Sequence, residues 1–266
     1  MTPCIDLDAY FDRIQWRGGT DPAFETLAGL LRAHTARIPF ENLDVLLGRP
    51  VRLDIDSIQA KLVRARRGGY CFEHATLFAA VLEALGFQPV RHAARVVLFG
   101  PSSESPRTHM FLTVPIEGAT FAVDPGFGPF AAPVPLPLLD AETVRGDHWM
   151  AREGGLWALH LVRNGQPVTG WVTTLEKENP VDFVMANHYI ATHPDSLFMN
   201  WIMLSAVTPR GRVNVMNRDV TILRGKEAST TQLTGRGALR ALLVEHFGFD
   251  LPEVEQLRVP AIPEWQ

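Results

Sequence analysis

The chain has 266 residues, 46% of them apolar, and 25 Lys and Arg against 29 Asp and Glu for a net charge of -4. That charge lacks the basic excess with which nucleic-acid binders displace counterions, and no apolar run reaches the roughly 20 residues of a membrane span, so neither nucleic acid nor a membrane is an expected partner. Two cysteines, Cys4 and Cys71, allow at most one disulfide, and a start with neither a basic nor an apolar region predicts a cytoplasmic protein whose thiols are reduced.

The first 86 residues read as helical. Asp21 is positioned to cap a helix with Pro22 in its first turn, followed by Phe24, Leu27 and Leu31 at helical spacing. A second helix begins near Asp56-Ser57, puts Ile58 and Leu62 on one face, and ends before Gly68-Gly69. A third starts at about Cys71, carries Phe72, Ala75, Phe78, Ala79, Leu82 and Leu85 inward, and stops at Gly86. From Gln88 the texture changes to short runs bounded by Gly, Pro, Ser or Asn, and strands are predicted over 90–99, 108–115, 120–124, 157–163 and 168–174. Residues 125–140 are rich in proline and glycine and read as a loop. Strands over 201–207, 212–216 and 220–223 lead to a closing helix over 237–247, with Leu239, Leu242, Leu243 and Phe247 on one stripe and Gly248 as its stop. The fold class is α+β: helices, then a mainly antiparallel sheet or barrel, then a smaller α/β piece.

The chemistry centres on Arg66-Arg67-Gly68-Gly69-Tyr70-Cys71-Phe72-Glu73-His74. A tight glycine turn delivers a thiol to the first turn of a helix, where the dipole, the free N–H groups and the adjacent Arg66 and Arg67 favour a thiolate. The paired glycines allow close approach to a substrate, and the N–H groups around Cys71 and Phe72 suit an oxyanion. A thiolate nucleophile needs a base, and the base an orienting group. His109 opens a mostly apolar strand, and Asp124 ends the next, just before Pro125-Gly126-Phe127-Gly128. Pairing of the two strands through a Glu117-Gly118 turn brings carboxylate and imidazole within reach, and Pro125 holds Asp124 extended. Each residue alone has a plainer reading, as a buried cysteine, a core histidine and a turn aspartate. Together, in the order Cys, His, Asp, they match the papain-like cysteine enzymes. His188 and His193 have no cysteine partner, and no zinc-helix, Walker or dinucleotide motif occurs, so no metal is expected. Gly235-Arg236-Gly237 reads as the turn before the last helix.

The motif Arg67-Gly68-Gly69-Tyr70-Cys71-Phe72-Glu73 resembles the cysteine motif of the arylamine N-acetyltransferases. The resemblance extends to Ile38-Pro39-Phe40-Glu41-Asn42-Leu43, Thr108-His109-Met110 and Asp124-Pro125-Gly126-Phe127-Gly128. It includes Asn187-His188-Tyr189, 192–196, and the C-terminal run 241–248. The chain departs from the family at His74-Ala75, where many members carry Gln-Asn, and at Pro125, where Val or Ala is usual. The resemblance implies a helical bundle over 1–86 that carries the nucleophile, a β-barrel over 87–199 that carries His109 and Asp124, and an α/β lid over 200–266. It also implies ping-pong transfer of acetyl from acetyl-CoA, as co-substrate, through Cys71 to an arylamine, arylhydrazine or N-hydroxyarylamine. By the same resemblance Phe40, Tyr70, Phe72, Thr108 and Phe127 line the acceptor pocket, Gly126 and Gly128 lie against CoA, and the protein is a monomer or homodimer. The rival readings are a cysteine hydrolase with the same triad, an amide synthase of a biosynthetic cluster, and a binding module that keeps the fold without the chemistry.

Overall fold

The computed structural model describes residues 4–139, 146–225 and 227–265; Met1, Thr2 and Pro3 of the chain start, and Asp140 at the end of the expected loop, lie outside them. Helix α1 (Leu7–Ile14) begins where Asp6 accepts a hydrogen bond from the Ala9 N–H at 3.0 Å. It buries only Tyr10, Arg13 and Ile14, too short an apolar stripe to stand out in the sequence. Helix α2 (Phe24–Arg37) starts two residues later than the Asp21-Pro22 signal predicts. The Asp21 carbonyl is used in a preceding turn, accepting from the Ala23 N–H at 2.8 Å, and Ala23 occupies the cap position. After the single turn α3 (Leu43–Leu46), α4 (Ile55–Ile58) is capped by Asp54 and continues as a wide π-type turn over Gln59–Arg64. Helix α5 (Cys71–Ala84) is buried on nearly every side, with Phe72, Ala75, Leu77, Phe78, Val81 and Leu82 fully enclosed. A helix so apolar all round belongs in a core.

Seven strands follow: β1 (Val90–Val96), β2 (His109–Ile116), β3 (Ala119–Val123), β4 (Leu136–Pro137), β5 (His148–Glu153), β6 (Leu156–Arg163) and β7 (Gln166–Thr173). They pair antiparallel in the order β4-β3-β2-β1-β7-β6-β5, and β4 comes back beside β5, so the sheet nearly closes into a barrel. The sequence reading missed β5, which pairs with β6 across Gly154 and Gly155, both at positive φ. Strand β2 is the wall between two cores: Met110, Leu112, Val114 and Ile116 join the helical cluster around α5, whereas Phe111 points into the barrel with Trp171. Burial on both faces explains why its sequence is a continuous apolar run.

Beyond the barrel come α6 (Pro180–Thr192) and the turn α7 (Leu197–Asn200). Helix α6 was also unpredicted, because only Phe183, Asn187 and Ile190 are buried; Phe183 and Ile190 add to the helical core. A second antiparallel sheet, β8 (Met203–Thr208), β9 (Gly211–Met216), β10 (Asp219–Arg224) and β11 (Glu227–Gln232), runs as a meander in the order β11-β10-β9-β8. Strand β11 escaped the sequence reading because it is an exposed polar edge with no apolar alternation. Helix α8 (Arg236–Leu242), extended by a π-type turn over Leu243–Phe247, closes a third cluster that runs from Ile202 to Trp265 and includes Leu43.

The strap 38–42 stitches these parts together. Phe40 exchanges both backbone hydrogen bonds with Ser205 of β8, at 2.8 and 2.9 Å, while Glu41 N–H donates to Gly69 C=O at 2.8 Å and Gly69 N–H to Pro39 C=O at 3.2 Å. Asn42 donates to the Phe198 and Trp201 carbonyls and accepts from the Met203 N–H. Under the strap lies a buried chain from Tyr10 through His34 and His74. The Pro39 carbonyl can only accept, so His74 Nε2–H donates to it at 3.2 Å; His74 Nδ1 then accepts from His34 Nε2–H at 2.8 Å, and His34 Nδ1 from the Tyr10 hydroxyl at 2.9 Å. Every nitrogen is satisfied with both rings neutral. Burial therefore pushes His34 well below the ordinary histidine range and His74 down to about 4.

This chain makes the protein acid-sensitive. The stability of a histidine whose folded pKa is depressed is present above the unfolded value near 6.5 and is lost as pH falls toward the folded one. Between pH 7 and 5 the free energy of unfolding in urea should fall by about 2 kcal/mol through His74 alone. His74→Gln should flatten that part of the profile, and an unchanged slope would contradict the assignment.

Candidate active site

Cys71 is the first residue of α5 and is 4% exposed. The preceding glycines serve the protein's own packing. A side chain on Gly68 would begin 2.1 Å from the Pro39 carbonyl oxygen, and one on Gly69 2.6 Å from the Glu73 carboxylate. Glu73 Oε2 accepts from the Tyr70 N–H at 3.1 Å, which fixes the turn that presents the thiol. Arg67, expected with Arg66 to add positive charge at the thiol, is turned to other partners. Arg66 is exposed, and Arg67 is spent on Glu41 at 2.6 Å and Asp44 at 2.7 Å. Lys61 completes this network, 2.8 Å from both Asp44 and Glu73, and its ammonium is held above its ordinary range because three carboxylates outweigh the burial that opposes it.

The cation at the thiol is instead the imidazole. Strands β2 and β3 pair through Glu117 and Gly118, both at positive φ, in a register that sets Val123 opposite Leu112. Asp124, one residue past the ladder, thereby reaches His109 as the sequence predicts: His109 Nε2–H donates to Asp124 Oδ2 at 2.7 Å, with both groups buried. Burial alone would lower the His109 pKa, but the charge and hydrogen bond of Asp124, with a further contribution from the adjacent Cys71 side chain, raise it to about 10. With Nε2 engaged by the carboxylate, Nδ1 is the atom left for the thiol. Cys71 Sγ also lies 3.7 Å from the Thr108 carbonyl. Asp124 collects two more donors, the Gly126 N–H on Oδ1 at 3.2 Å and the Trp171 indole N–H on Oδ2 at 2.9 Å. Trp171 is absent from the sequence reading, which placed it in a strand without a role.

The thiol and imidazole open on a cleft of about 500 Å³, a size that suits a small organic molecule. Of the residues expected in the acceptor pocket, Phe40, Thr108 and Phe127 lie along it, with Gly126, Val96, Leu98, Phe99, Phe130, Tyr189 and Phe198 beside them. Tyr70 and Phe72 do not line it: Tyr70 stands behind Phe198, ring centres 5.4 Å apart, and Phe72 behind Tyr70, both fully buried. The Tyr70 hydroxyl donates to Asn187 Oδ1, while Asn187 Nδ2 donates to the Val51 carbonyl, so this part of α6 braces the nucleophile turn. The loop glycines also have local causes. A side chain on Gly126 would start 2.6 Å from the Cys71 Cα, and Gly128, at φ 58°, lies against the Phe40 ring outside the cleft wall. No group of three His, Cys, Asp or Glu among the described residues is arranged to hold a metal ion.

A thiol at a helix start, an imidazole held charged by a carboxylate and an apolar cleft in front of them form the equipment of an enzyme that works through a cysteine nucleophile. The comparisons with known proteins narrow this to an acyltransferase: the family model described as N-acetyltransferase matches residues 23–256. The arylamine N-acetyltransferase of Mycobacterium tuberculosis is 37% identical over 94% of this chain and 91% of its own. The Salmonella typhimurium arylamine N-acetyltransferase / N-hydroxyarylamine O-acetyltransferase is 34% identical over 94% and 90%. The structure of the Mycobacterium marinum arylamine N-acetyltransferase in complex with CoA superposes with a TM-score of 0.88 at 33% identity, covering 94% of both chains. The chain belongs to the arylamine N-acetyltransferase family.

Proposed function

We propose that the protein moves an acetyl group from acetyl-CoA to an arylamine, arylhydrazine or N-hydroxyarylamine through a thioester on Cys71. The observation that carries this reading is the His109–Asp124 pair buried beside Cys71 at the floor of an aromatic cleft. In the first half-reaction the Cys71 sulfur attacks the acetyl carbonyl, the bond from carbon to the CoA sulfur breaks, and the CoA thiolate takes a proton from the His109 imidazolium. In the second the amine nitrogen attacks the thioester, its proton passes to His109, and the Cys71 thiolate leaves. The Cys71 and Phe72 N–H groups at the start of α5 are not used in the helix's own hydrogen bonds and suit the oxyanion of each tetrahedral intermediate. A flat aromatic amine matches walls built from Phe40, Phe127, Phe130, Tyr189 and Phe198. The CoA complex of the M. marinum relative supports acetyl-CoA as co-substrate.

In this reading residues 1–86 supply the nucleophile, 87–199 the base and its orienting acid, and 200–266 a lid. The core is papain-like in the sense that a cysteine opens a helix packed on the sheet that bears the histidine. The test is a panel of anilines, hydrazines and N-hydroxyarylamines with acetyl-CoA, following CoA release. Wild type should release CoA in proportion to added amine, and Cys71→Ala should give only background. Release that is independent of every amine tried would favour a hydrolase and overturn the proposal.

A further inference from the structure

The strongest unexplained feature beside the site is the indole of Trp171. It is 1% exposed and stacks on Phe111 at 4.3 Å between ring centres, yet its only polar atom is aimed at the carboxylate oxygen that also holds His109. A tryptophan buried for packing alone has no reason to direct its N–H there, since the indole nitrogen is a donor only and most orientations of the ring would leave it elsewhere. The backbone around it has an equally specific form. Strand β6 pairs Leu159 with Trp171 but His160 with Thr169, so Gly170 is an extra residue in β7, a β-bulge. Bulges re-aim a side chain relative to a regular ladder and are found beside active sites. Here the bulge has a glycine, and a side chain on it would start 2.9 Å from the Phe127 ring, which itself packs on the His109 imidazole at 4.9 Å between ring centres. The bulge therefore does two things at once: it turns Trp171 toward Asp124 and leaves room for the ring that covers His109.

We propose that Trp171 is a positioning residue of the active site, and that its indole N–H, delivered by the Gly170 bulge, fixes the Asp124 carboxylate so that His109 presents Nδ1 to Cys71. Asp124 without it keeps the Gly126 N–H on Oδ1 and His109 on Oδ2, two contacts about which the carboxylate can rock. With the indole N–H as a second donor on Oδ2, that oxygen is held from two directions and the carboxylate can no longer rock, which fixes the imidazole plane with it. This orientation matters for chemistry because proton transfer to and from sulfur depends on the imidazole being held in line.

The inference rests on the reading of Cys71, His109 and Asp124 as the reacting group, but its test is independent of the acetyl acceptor. Trp171 is replaced by 3-benzothienylalanine, which keeps the bicyclic shape and carries sulfur in place of the N–H, and by Trp171→Phe as a second variant. Three things are measured: alkylation of Cys71 by iodoacetamide at pH 7, steady-state acetyl transfer, and the low-field proton signal of the His109–Asp124 hydrogen bond by NMR. The expected result is a roughly tenfold loss in alkylation rate and in kcat with the amine KM and Tm unchanged for the benzothienyl form, and a displaced low-field signal. Rates within twofold of wild type, with the signal unmoved, would overturn the proposal. If wild type alkylates rapidly and the variant slowly while neither transfers acetyl, the positioning role stands and the proposed function fails.

Discussion

Changing His109 to asparagine should lower kcat/KM by at least about a thousandfold while the protein still folds, because it removes general acid–base catalysis and the cation beside the thiol together. The effect on the thiol is separable from the effect on turnover: alkylation of Cys71 at pH 7 should slow by more than tenfold in the same variant. The pH dependence has a definite sign. A histidine whose folded pKa is raised to about 10 stabilises the folded protein fully below the unfolded value near 6.5, and that contribution is lost as pH rises through the folded value. Wild type should therefore lose stability between pH 7 and 10 more steeply than His109→Asn. Parallel profiles would show that the imidazole is not held charged.

The second large effect is structural. Lys61→Met should destabilise the protein by about 3 to 5 kcal/mol, because it leaves Glu73 fully buried without its cation beside the carboxylates of Glu41 and Asp44. Burial raises the Glu73 pKa despite Lys61, so in the variant the carboxyl has every reason to take a proton. Urea unfolding at pH 7 measures the loss. A change below about 1 kcal/mol would mean that the network is solvated. Since Glu73 also receives the Tyr70 N–H, this variant should show slower Cys71 alkylation even where it remains folded.

Both predictions turn on residues that differ in how visible they are in the sequence. The triad was legible because its chemistry demands particular residue types, and because the glycine turn, the strand pair and the Asp-Pro-Gly corner leave local marks. The β2–β3 pairing through Glu117 and Gly118 could be read from a turn between two apolar runs. Trp171 could not: its role depends on barrel closure, which brings β7 beside β1 from some 75 residues away in the chain, and on a single bulged glycine. The same limit explains Arg67, whose charge is adjacent to Cys71 in sequence but is turned onto Glu41 and Asp44 in space. Tyr70 and Phe72 flank the nucleophile, yet the extended cap at Tyr70 and the first helical turn at Phe72 direct both rings into the core behind Phe198. Helices α1 and α6 and strand β11 were missed because each buries few apolar side chains or none, and strand β5 because its buried Trp149, Met150 and Ala151 stand in a row without alternation, so periodicity has nothing to report.

The glycines give the clearest case of a motif explained differently by the structure. Gly68, Gly69 and Gly126 are needed because the Pro39 carbonyl, the Glu73 carboxylate and the Cys71 backbone occupy the space a side chain would take. Their first service is to bring the strap, the nucleophile turn and the Asp124 corner together around one thiol. The aromatic cleft is then a consequence of where these three segments meet.

In the proposed function Cys71 carries the acyl group between donor and acceptor. Intact-protein and peptide mass spectrometry after brief exposure to acetyl-CoA, followed by addition of an arylamine, tests it most directly. A single acetyl group is expected on the peptide containing Cys71, absent in Cys71→Ala and removed by the amine with formation of the N-acetyl product faster than by water. An acetyl group on any other residue, or a Cys71 thioester that water discharges as fast as the amine does, would contradict it.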